Sequence, residues 1–346
     1  MRERLRLLLA ACFYYSGLVA LALWWQRRTG RRLVILNYHR ATGKYLYRQV
    51  RYLRRHYHIM HLEDALREFY TLQQGRRERD RRIPLVLTFD DGYLDNYTCG
   101  LPLARSLHVP ITVFLIPGYI ESGECFWWLA GSYLAAHAPA EKVTLEGKGY
   151  DLAQAEEREA LAQAIDSHLR NANSVAERER FLAAVQRALD VALPCRAREG
   201  IADGALPLTW QEVREMESSG LVSFGAHTMH HPVLSYLADP AELRREVVEC
   251  RSVLEERLGH PVSAFAYPIG KPEHIGEAGL RAVRAAGYTY ALTTIEAVNT
   301  PHIDPYMLCR LPGDVNLHWL VMACELAGLL GILSRLRKKY GQVFRR

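Results

Sequence analysis

Short apolar runs alternate with amphipathic stretches along most of this chain, and that alternation narrows the possible folds more than any other feature. The runs that predict strands span residues 33–38, 85–89, 110–116, 221–226, 262–267 and 288–294. Amphipathic stretches lie between them, and one of these begins at Asp239-Pro240 and ends at Gly259, as a capped helix does. Strands separated by helices form parallel sheets that helices cover. The sequence therefore predicts an α/β fold with a parallel, barrel-like sheet.

Polar clusters follow two of the predicted strands. Asp90 and Asp91 come directly after the strand that ends at Phe89, and His227 follows the strand at 221–226. The carboxyl ends of parallel strands meet at one edge of the sheet, which is where β/α barrels carry their chemistry. Adjacent carboxylates repel each other, so burying both is costly unless a cation or a proton offsets their charge. The two clusters are therefore candidates for one site.

Each cluster alone also has an ordinary structural explanation. An Asp-Asp-Gly sequence commonly ends a strand in a solvated turn, and the spacing of His227 and His231 occurs on many protein surfaces. Together the clusters supply one carboxylate and two imidazoles, which give zinc three protein ligands and leave a position open for water. A second carboxylate that does not coordinate the metal can accept the proton of that water. We therefore expect Asp91, His227 and His231 to bind a metal and Asp90 to act as the base.

The motifs Thr88-Phe89-Asp90-Asp91-Gly92 and His227-Thr228-Met229-His230-His231-Pro232 resemble the first two signatures of the polysaccharide deacetylases. These are the NodB-homology enzymes, also called carbohydrate esterase family 4. The resemblance covers roughly residues 33–315. It implies a deformed (β/α) barrel that uses zinc or a similar ion to hydrolyse an N- or O-acyl group on a sugar. It also implies that the first aspartate is the base and that the second aspartate and both histidines hold the metal.

Two later signatures of this family fit less well. The third usually supplies an arginine that steadies the base, but Ala266 stands at that position, and Arg310 is our candidate substitute. The last usually supplies the general acid as Leu-x-His, but the chain reads Leu292-Thr293-Thr294. His39, at the end of the first predicted strand, is our candidate acid. A surface arginine and a structural histidine are the alternative interpretations of these two residues.

The other segments predict additions to the deacetylase-like domain, which we place at residues 31–315. Residues 141–200 are rich in Ala, Glu, Arg and Gln and predict helices, so we interpret about 124–206 as an α-helical insertion. Residues 316–346 predict an amphipathic, basic C-terminal helix. This helix either packs on the barrel or lies in a membrane interface.

An apolar segment predicts a membrane anchor helix within residues 1–30. From Leu7 to Trp25 the chain has no charged residue, and Trp24-Trp25 suits the aromatic belt of a membrane interface. A cleaved signal peptide is the competing interpretation, but these bulky residues make a poor cleavage site. Arginines at positions 27, 28, 31 and 32 favour a catalytic domain on the cytoplasmic side of the cell membrane.

Composition and motif content separate the possible functions further. A net charge of +6 over 346 residues, without an aromatic-interleaved basic segment, gives no sign of nucleic-acid binding, and the seven cysteines form no CxxC pair. We predict a membrane-anchored, metal-dependent hydrolase that removes N-acetyl groups from a polysaccharide or lipid-linked sugar of the cell envelope. Trp127 and Trp128 are candidates to stack on sugar rings. The alternatives are a deformylase or other sugar amidase with the same site, and a catalytically weakened, membrane-tethered glycan-binding or assembly protein.

Overall fold

A computed structural model describes residues 2–71, 82–196 and 204–330, and its centre is a curled parallel sheet. The strands, in chain order, are β1 Val34–Tyr38, β2 Tyr57–Ile59, β3 Ile83–Phe89, β4 Ile111–Leu115, β5 Lys142–Leu145, β6 Lys148–Asp151, β7 Val222–Ala226, β8 Ala264–Ala266, β9 Tyr290–Leu292 and β10 Leu311–Pro312. The main sheet has the order β10-β1-β3-β4-β7-β8-β9, with β2 also paired to β3, and its pairings are parallel. This confirms the predicted α/β fold with a parallel, curled sheet.

The segment that ends in β10 joins the two edges of the sheet. Leu308 forms a parallel bridge with Leu292 in β9, and Leu311 pairs with Leu36 in β1. Both edge strands therefore find a backbone partner in one short segment, which leaves less unpaired edge. Arg310 lies in this segment, so the curl of the sheet carries its side chain to the seam between the first and last strands.

Helices cover the sheet and flank its ends. In chain order they are α1 Arg2–Tyr15, α2 Leu18–Gln26, α3 Leu46–His56, α4 Leu62–Thr71, α5 Leu101–Leu107, α6 Pro117–Ser122, α7 Trp127–His137, α8 Ala155–Asn171, α9 Val175–Leu189, α10 Trp210–Ser218, α11 Pro240–Leu258, α12 Pro272–Ala285 and α13 Trp319–Leu326. In α11 the Asp239 side chain accepts a hydrogen bond from the Ala241 N–H, and Gly259 ends the helix with φ of 77°. These are the start and stop that the sequence predicts for this helix.

Residues 142–151 form a β-hairpin of β5 and β6, where the sequence predicts helix. The strands pair antiparallel, with Leu145 opposite Lys148. The two residues between them, Glu146 and Gly147, have positive φ of 52° and 82°, as a two-residue hairpin turn requires. The helix prediction followed the helix-forming composition of residues 141–200 as a whole, whereas this local turn decides the structure of the hairpin.

The connection between β4 and β7, residues 116–221, has a core of its own, and we call it the connecting segment. Helices α7, α8 and α9 pack around a hydrophobic cluster that includes Phe126, Trp127 and Leu161 and is distinct from the cluster beneath the sheet. Helices α7 and α8 approach closely at Gly131, whose N–H donates to Asp166 Oδ1 at 3.0 Å. The connecting segment is thus a second packed layer on one side of the barrel-like sheet.

The N-terminal apolar segment forms two helices, whereas the sequence predicts a single anchor helix. Helices α1 and α2 meet at Ser16-Gly17, where Gly17 has φ of 83°, and they are bent by 70°. Among the described residues, no single helix has the length and hydropathy of a membrane span, although α1 and α2 together do. Helix α1 packs on α13, and Cys324 Sγ lies 3.4 Å from the Ala10 carbonyl oxygen. Residues 331–346 of the predicted C-terminal helix lie outside the described residues.

Replacing Gly131 with alanine tests the close contact of α7 with α8. A Cβ at this position would lie 2.3 Å from Asp166 Oδ1 and 2.5 Å from the Ala162 carbonyl oxygen, which cannot move without shifting α8. We expect Gly131→Ala to lower the free energy of unfolding by about 1–3 kcal/mol. Gly149→Ala is the control, because a Cβ at Gly149 meets no atom within 4 Å. Equal urea midpoints for the two variants would contradict this packing.

Candidate active site

The turn after β3 gives two consecutive carboxylates different partners. The Asp90 N–H still donates to the Tyr38 carbonyl at 2.9 Å and so continues the pairing of β3 with β1. Asp91 and Gly92 then take positive φ of 75° and 69°, a conformation that is strained for a residue with a side chain. Both aspartates are buried, at 2% and 4% exposure. Each carboxylate therefore requires a countercharge of its own.

Asp91 lies beside His227 and His231, so the structure brings together the three residues that the sequence indicates as metal ligands. Asp91 Oδ1 is 3.4 Å from His227 Nε2 and 3.7 Å from His231 Nε2, which is too far for strong hydrogen bonds. The candidate ligand atoms all lie within 4.8 Å of one another. Asp91 Oδ1 is buried and has no hydrogen-bond partner among the described residues, which is costly unless a cation satisfies it. These residues fit a divalent metal ion.

The pKa values of the two histidines are shifted in opposite directions. His227 Nδ1 donates to the Ala266 carbonyl oxygen at 2.7 Å, which directs Nε2 towards Asp91. Burial opposes protonation of His227, but the contact with Asp91 and the charge of Asp90 outweigh burial and raise its pKa. Burial and the neighbouring His227 lower the pKa of His231 to about 3. His231 is therefore neutral, which is the form in which an imidazole binds a metal.

Asp90 forms a bidentate, buried ion pair with Arg310. Arg310 Nη1 donates to Asp90 Oδ1 at 2.7 Å and Nη2 donates to Oδ2 at 2.8 Å. Burial opposes ionisation of Asp90, but Arg310, followed by His227, outweighs burial and lowers the pKa of Asp90 to about 2. The carboxylate is therefore ionised at physiological pH, and the planar guanidinium fixes its orientation.

Arg310 reaches Asp90 from the segment that closes the sheet, and it has further hydrogen-bond partners there. Its Nε donates to the Thr293 carbonyl at 2.8 Å, and Nη1 donates to Asn37 Oδ1 at 3.1 Å as well as to Asp90. Ala266 stands where an arginine was expected from the resemblance, and its carbonyl oxygen binds His227 instead. The positive charge beside Asp90 thus comes from a part of the chain more than forty residues beyond Ala266.

His39 lies directly after β1, next to the turn that carries the two aspartates. Its side chain is exposed, unlike those of the other candidate site residues. Its imidazole is close enough to Asp90 and Asp91 to favour their ionised forms. The His39 carbonyl oxygen accepts a hydrogen bond from the Asn96 side chain at 3.0 Å, which fixes the backbone here. The structure therefore places an exposed histidine directly after β1, whose last residue pairs with Phe89 at the end of β3.

Two residues of the connecting segment hold the peptide of His231, and the sequence predicts this role for neither of them. Arg178 of α9, only 2% exposed, donates to the carbonyl oxygens of His230 at 2.9 Å and His231 at 3.4 Å. The indole N–H of Trp127 donates to the same His231 oxygen at 3.0 Å. His231 needs this support because its φ is 55°. No local pattern links Arg178 to a histidine 53 positions away, so the sequence carries no signal for this contact.

A double replacement tests the buried ion pair. We expect Arg310→Met to lower the free energy of unfolding by about 3–5 kcal/mol, because it leaves the Asp90 carboxylate buried without its partner. Adding Asp90→Asn removes that charge and is expected to restore most of the loss. Arg284→Met is the control, since its ion pair with Asp304 is exposed and is worth less than about 1 kcal/mol. If Arg310→Met alone were as stable as the double variant in urea, Asp90 would not depend on Arg310.

Comparison with known proteins supports the assignment that the motifs suggest. The family model for polysaccharide deacetylase matches residues 77–291, which is more than half of the chain. Among curated proteins, no sequence gives a significant match.

Solved structures of deacetylases share the fold. The Streptococcus pyogenes deacetylase PplD in complex with acetate has a TM-score of 0.53 and 17% identity, over 85% of this chain and 97% of that one. IcaB from Ammonifex degensii gives 0.52 and 18%, over 85% and 97%. The BpsB deacetylase domain from Bordetella bronchiseptica gives 0.52 and 16%, over 82% and 96%. These likenesses concern the fold, and with the family match they lead to one conclusion: the chain belongs to the polysaccharide deacetylase family and is a hydrolase.

Proposed function

We propose that this enzyme removes N-acetyl groups from a polysaccharide or a lipid-linked sugar of the cell envelope, with the help of a divalent metal ion that we take to be zinc. One observation carries the proposal. The ionised Asp90 carboxylate lies next in sequence to a buried group of one aspartate and two histidines, in which a carboxylate oxygen has no hydrogen-bond partner. A fixed base beside a set of metal ligands suits the hydrolysis of an amide by water.

Asp91, His227 and His231 are the residues that would hold the ion. Held by these side chains, a divalent ion would supply a Lewis acid for the acetyl carbonyl and for the attacking water. Asp91 and the neutral His231 can serve as ligands without losing a proton. The contact with Asp91 raises the pKa of His227, so this residue would couple metal binding to the release of a proton.

Asp90 would accept the proton of the attacking water. Arg310 binds both of its oxygens, so the carboxylate is already oriented and needs no reorganisation during the reaction. Its low pKa also means that the protonated form is a strong acid, which passes its proton on readily. Asp90 is therefore suited to hold the proton of the attacking water only briefly.

His39 would protonate the leaving nitrogen in place of the absent Leu-x-His histidine. It is exposed at the end of β1 and lies near both carboxylates, as a group that meets a bound substrate must. Thr294, in the Leu292-Thr293-Thr294 sequence, cannot take this role, because its hydroxyl donates to the Ile269 carbonyl at 2.7 Å. His39 is thus the candidate acid that best combines exposure with proximity.

Trp128 is our candidate platform for a sugar ring. It is half-buried, and its ring centroid lies 4.4 Å from that of His231. Its ring stacks on Phe126 at 4.8 Å, and its N–H donates to the Tyr93 hydroxyl at 2.7 Å, so its orientation is fixed. Trp127 is buried and bound to the His231 carbonyl oxygen, so we assign it to the support of the loop instead.

A location at the cell membrane completes the proposal. It rests on the apolar segment from Leu7 to Trp25 and on the arginines after it, which favour the cytoplasmic face. A membrane location suits a lipid-linked or exported glycan, because the enzyme and its substrate then share one surface. No residue of the site depends on this part of the proposal.

The alternative functions differ from this proposal either in the acyl group that is removed or in whether the protein catalyses a reaction at all. A deformylase or another sugar amidase would use the same side chains on a different acyl group. The absence of an arginine at Ala266 would favour a weakened glycan-binding or assembly protein, but Arg310 supplies that charge to Asp90. A protein that only binds glycans has no use for an ionised base beside metal ligands.

Acetate release by Asp90→Asn tests the proposal. We expect the wild type to release acetate from N-acetylglucosamine oligomers, and Asp90→Asn to lose about 10²–10⁴-fold in rate because it cannot accept a proton. Its metal content should match the wild type, whereas Asp91→Asn should lose metal. Formyl- and other acyl-sugars, free and lipid-linked, are tested in parallel. Bound metal in the wild type without turnover on any acylated glycan would instead favour the glycan-binding alternative.

The role of His39 is tested by its pH–rate profile. We expect His39→Ala to lower kcat and to flatten the alkaline limb of the profile, because a general acid must be protonated to act. His302→Ala is the control, since His302 is exposed and lies outside the site. A His39→Ala enzyme with unchanged turnover and an unchanged profile would rule out this assignment.

A further inference from the structure

Helices α1 and α2 are apolar on two opposite sides, and the rest of the protein covers only one of them. The inner side buries Ala10, Val19 and Leu23, at 0%, 2% and 3% exposure. The outer side consists of large apolar residues that are 39–76% exposed: Leu5, Leu8, Leu9, Tyr15, Leu18, Leu21, Trp24 and Trp25. A helix that is hydrophobic on all sides is normally buried in protein or in a membrane. We call this outer side the docking face.

The docking face is continuous along each helix and concentrated in one part of the molecule. Residues three or four positions apart share a helix face, as Leu5 and Leu8 do in α1 and Leu18 and Leu21 do in α2. Among the described residues, Tyr47 and Tyr236 are the other exposed large hydrophobic side chains. An apolar surface gathered in this way marks an interaction site.

Positive charge is concentrated in the segment that carries the docking face, which favours an anionic partner there. Residues 1–32 contain seven arginines and one glutamate, a net charge of +6, which equals the net charge of the whole chain. Residues 331–346 contain six basic and no acidic residues, again +6, so residues 33–330 carry −6. The basic excess is therefore confined to the two terminal segments. Basic residues beside an apolar face with tryptophans are typical of segments that bind anionic lipid.

The folded domain holds α1 and α2 in place with polar as well as apolar contacts. The Gln26 side chain donates to the Leu326 carbonyl at 3.2 Å, and Arg27 donates to the His56 carbonyl at 2.9 Å. Arg6 forms an ion pair with Glu325 of α13. The 70° bend is thus part of the packing of the domain, and it keeps both inner faces on the protein while both outer faces stay exposed.

We propose that α1 and α2 lie in one leaflet of an anionic membrane, parallel to its surface, with the docking face among the acyl chains and their inner sides still packed on the enzyme. Exposed arginines such as Arg4 and Arg28 would reach lipid phosphates. The Arg28 guanidinium lies 4.2 Å from the centre of the Trp24 ring, a pair suited to the headgroup level. This arrangement differs from the spanning anchor that the sequence predicts, and it does not rest on the proposed catalytic function.

Vesicle flotation of the whole chain tests whether the docking face binds an anionic membrane. We expect binding to vesicles of equal parts phosphatidylcholine and phosphatidylglycerol, and weaker binding to phosphatidylcholine alone. Replacing Leu8 and Leu21 by glutamine should reduce partitioning at least tenfold by rough area arguments. Arg4→Gln and Arg28→Gln should each reduce it about fivefold on the anionic vesicles only. Tyr236→Ser is the control and should leave binding unchanged, and circular dichroism confirms that every variant is folded.

Labelling from the two sides of the membrane tests the arrangement. Arg4→Cys places a thiol at the start of α1, and Thr29→Cys places one after the end of α2. An impermeant maleimide is applied to spheroplasts and to inverted vesicles, and the labelled sites are mapped by peptide mass spectrometry. Labelling of both positions from the same side supports the in-plane arrangement. Labelling from opposite sides would overturn it in favour of a span. Absence of vesicle binding together with a dimer in light scattering would overturn it in favour of a second copy covering the docking face.

Discussion

The ion pair between Arg310 and Asp90 is the interaction on which the rest of the site depends. A buried guanidinium is costly unless it has hydrogen-bond partners. Arg310 donates to the Asp90 carboxylate, to the Asn37 side chain in β1 and to the Thr293 carbonyl directly after β9. One side chain therefore connects the first strand, the strand of the base and the last strands of the sheet. The contacts that close the sheet also orient the Asp90 carboxylate, so a change that disrupts one is expected to disrupt the other.

The two adjacent aspartates are stabilised in different ways, and this difference divides their roles. Asp90 has a permanent countercharge that belongs to the protein. Asp91 faces two imidazoles, each of which can either carry a proton or offer an unprotonated nitrogen. The positive charge that balances Asp91 can therefore be a proton or another cation. The contact with Asp91 raises the pKa of His227, so a proton on this imidazole and a cation at Asp91 would compete for the same pocket. This difference between two adjacent like charges is what supports the proposed roles of Asp90 as base and Asp91 as metal ligand.

Much of the site could be predicted from the sequence because its centre is encoded locally. Asp90 and His227 each follow an apolar strand within one residue, and parallel strands bring such positions to one edge. Arg310 was a candidate partner of Asp90 only through the family resemblance, since β10 has two residues and its pairing with β1 depends on how the whole sheet curls. Two local turns also could not be predicted from composition. Glu146-Gly147 forms a hairpin turn inside a helix-rich region, and Gly17 divides a uniform apolar run into two helices.

The hydrogen bonds from Arg178 and Trp127 to the His231 peptide have a consequence for how this enzyme can change over evolutionary time. The ligand loop is shaped by the connecting segment, yet the segment contributes no residue to the ligand set. A lineage that lost or replaced α9 would keep every ligand in its sequence and still lose the geometry of one of them. Amino-acid substitutions in the connecting segment are therefore constrained at the few buried hydrogen-bond donors and less constrained at other positions. Two chains with identical motifs can differ in activity because of residues that no motif includes.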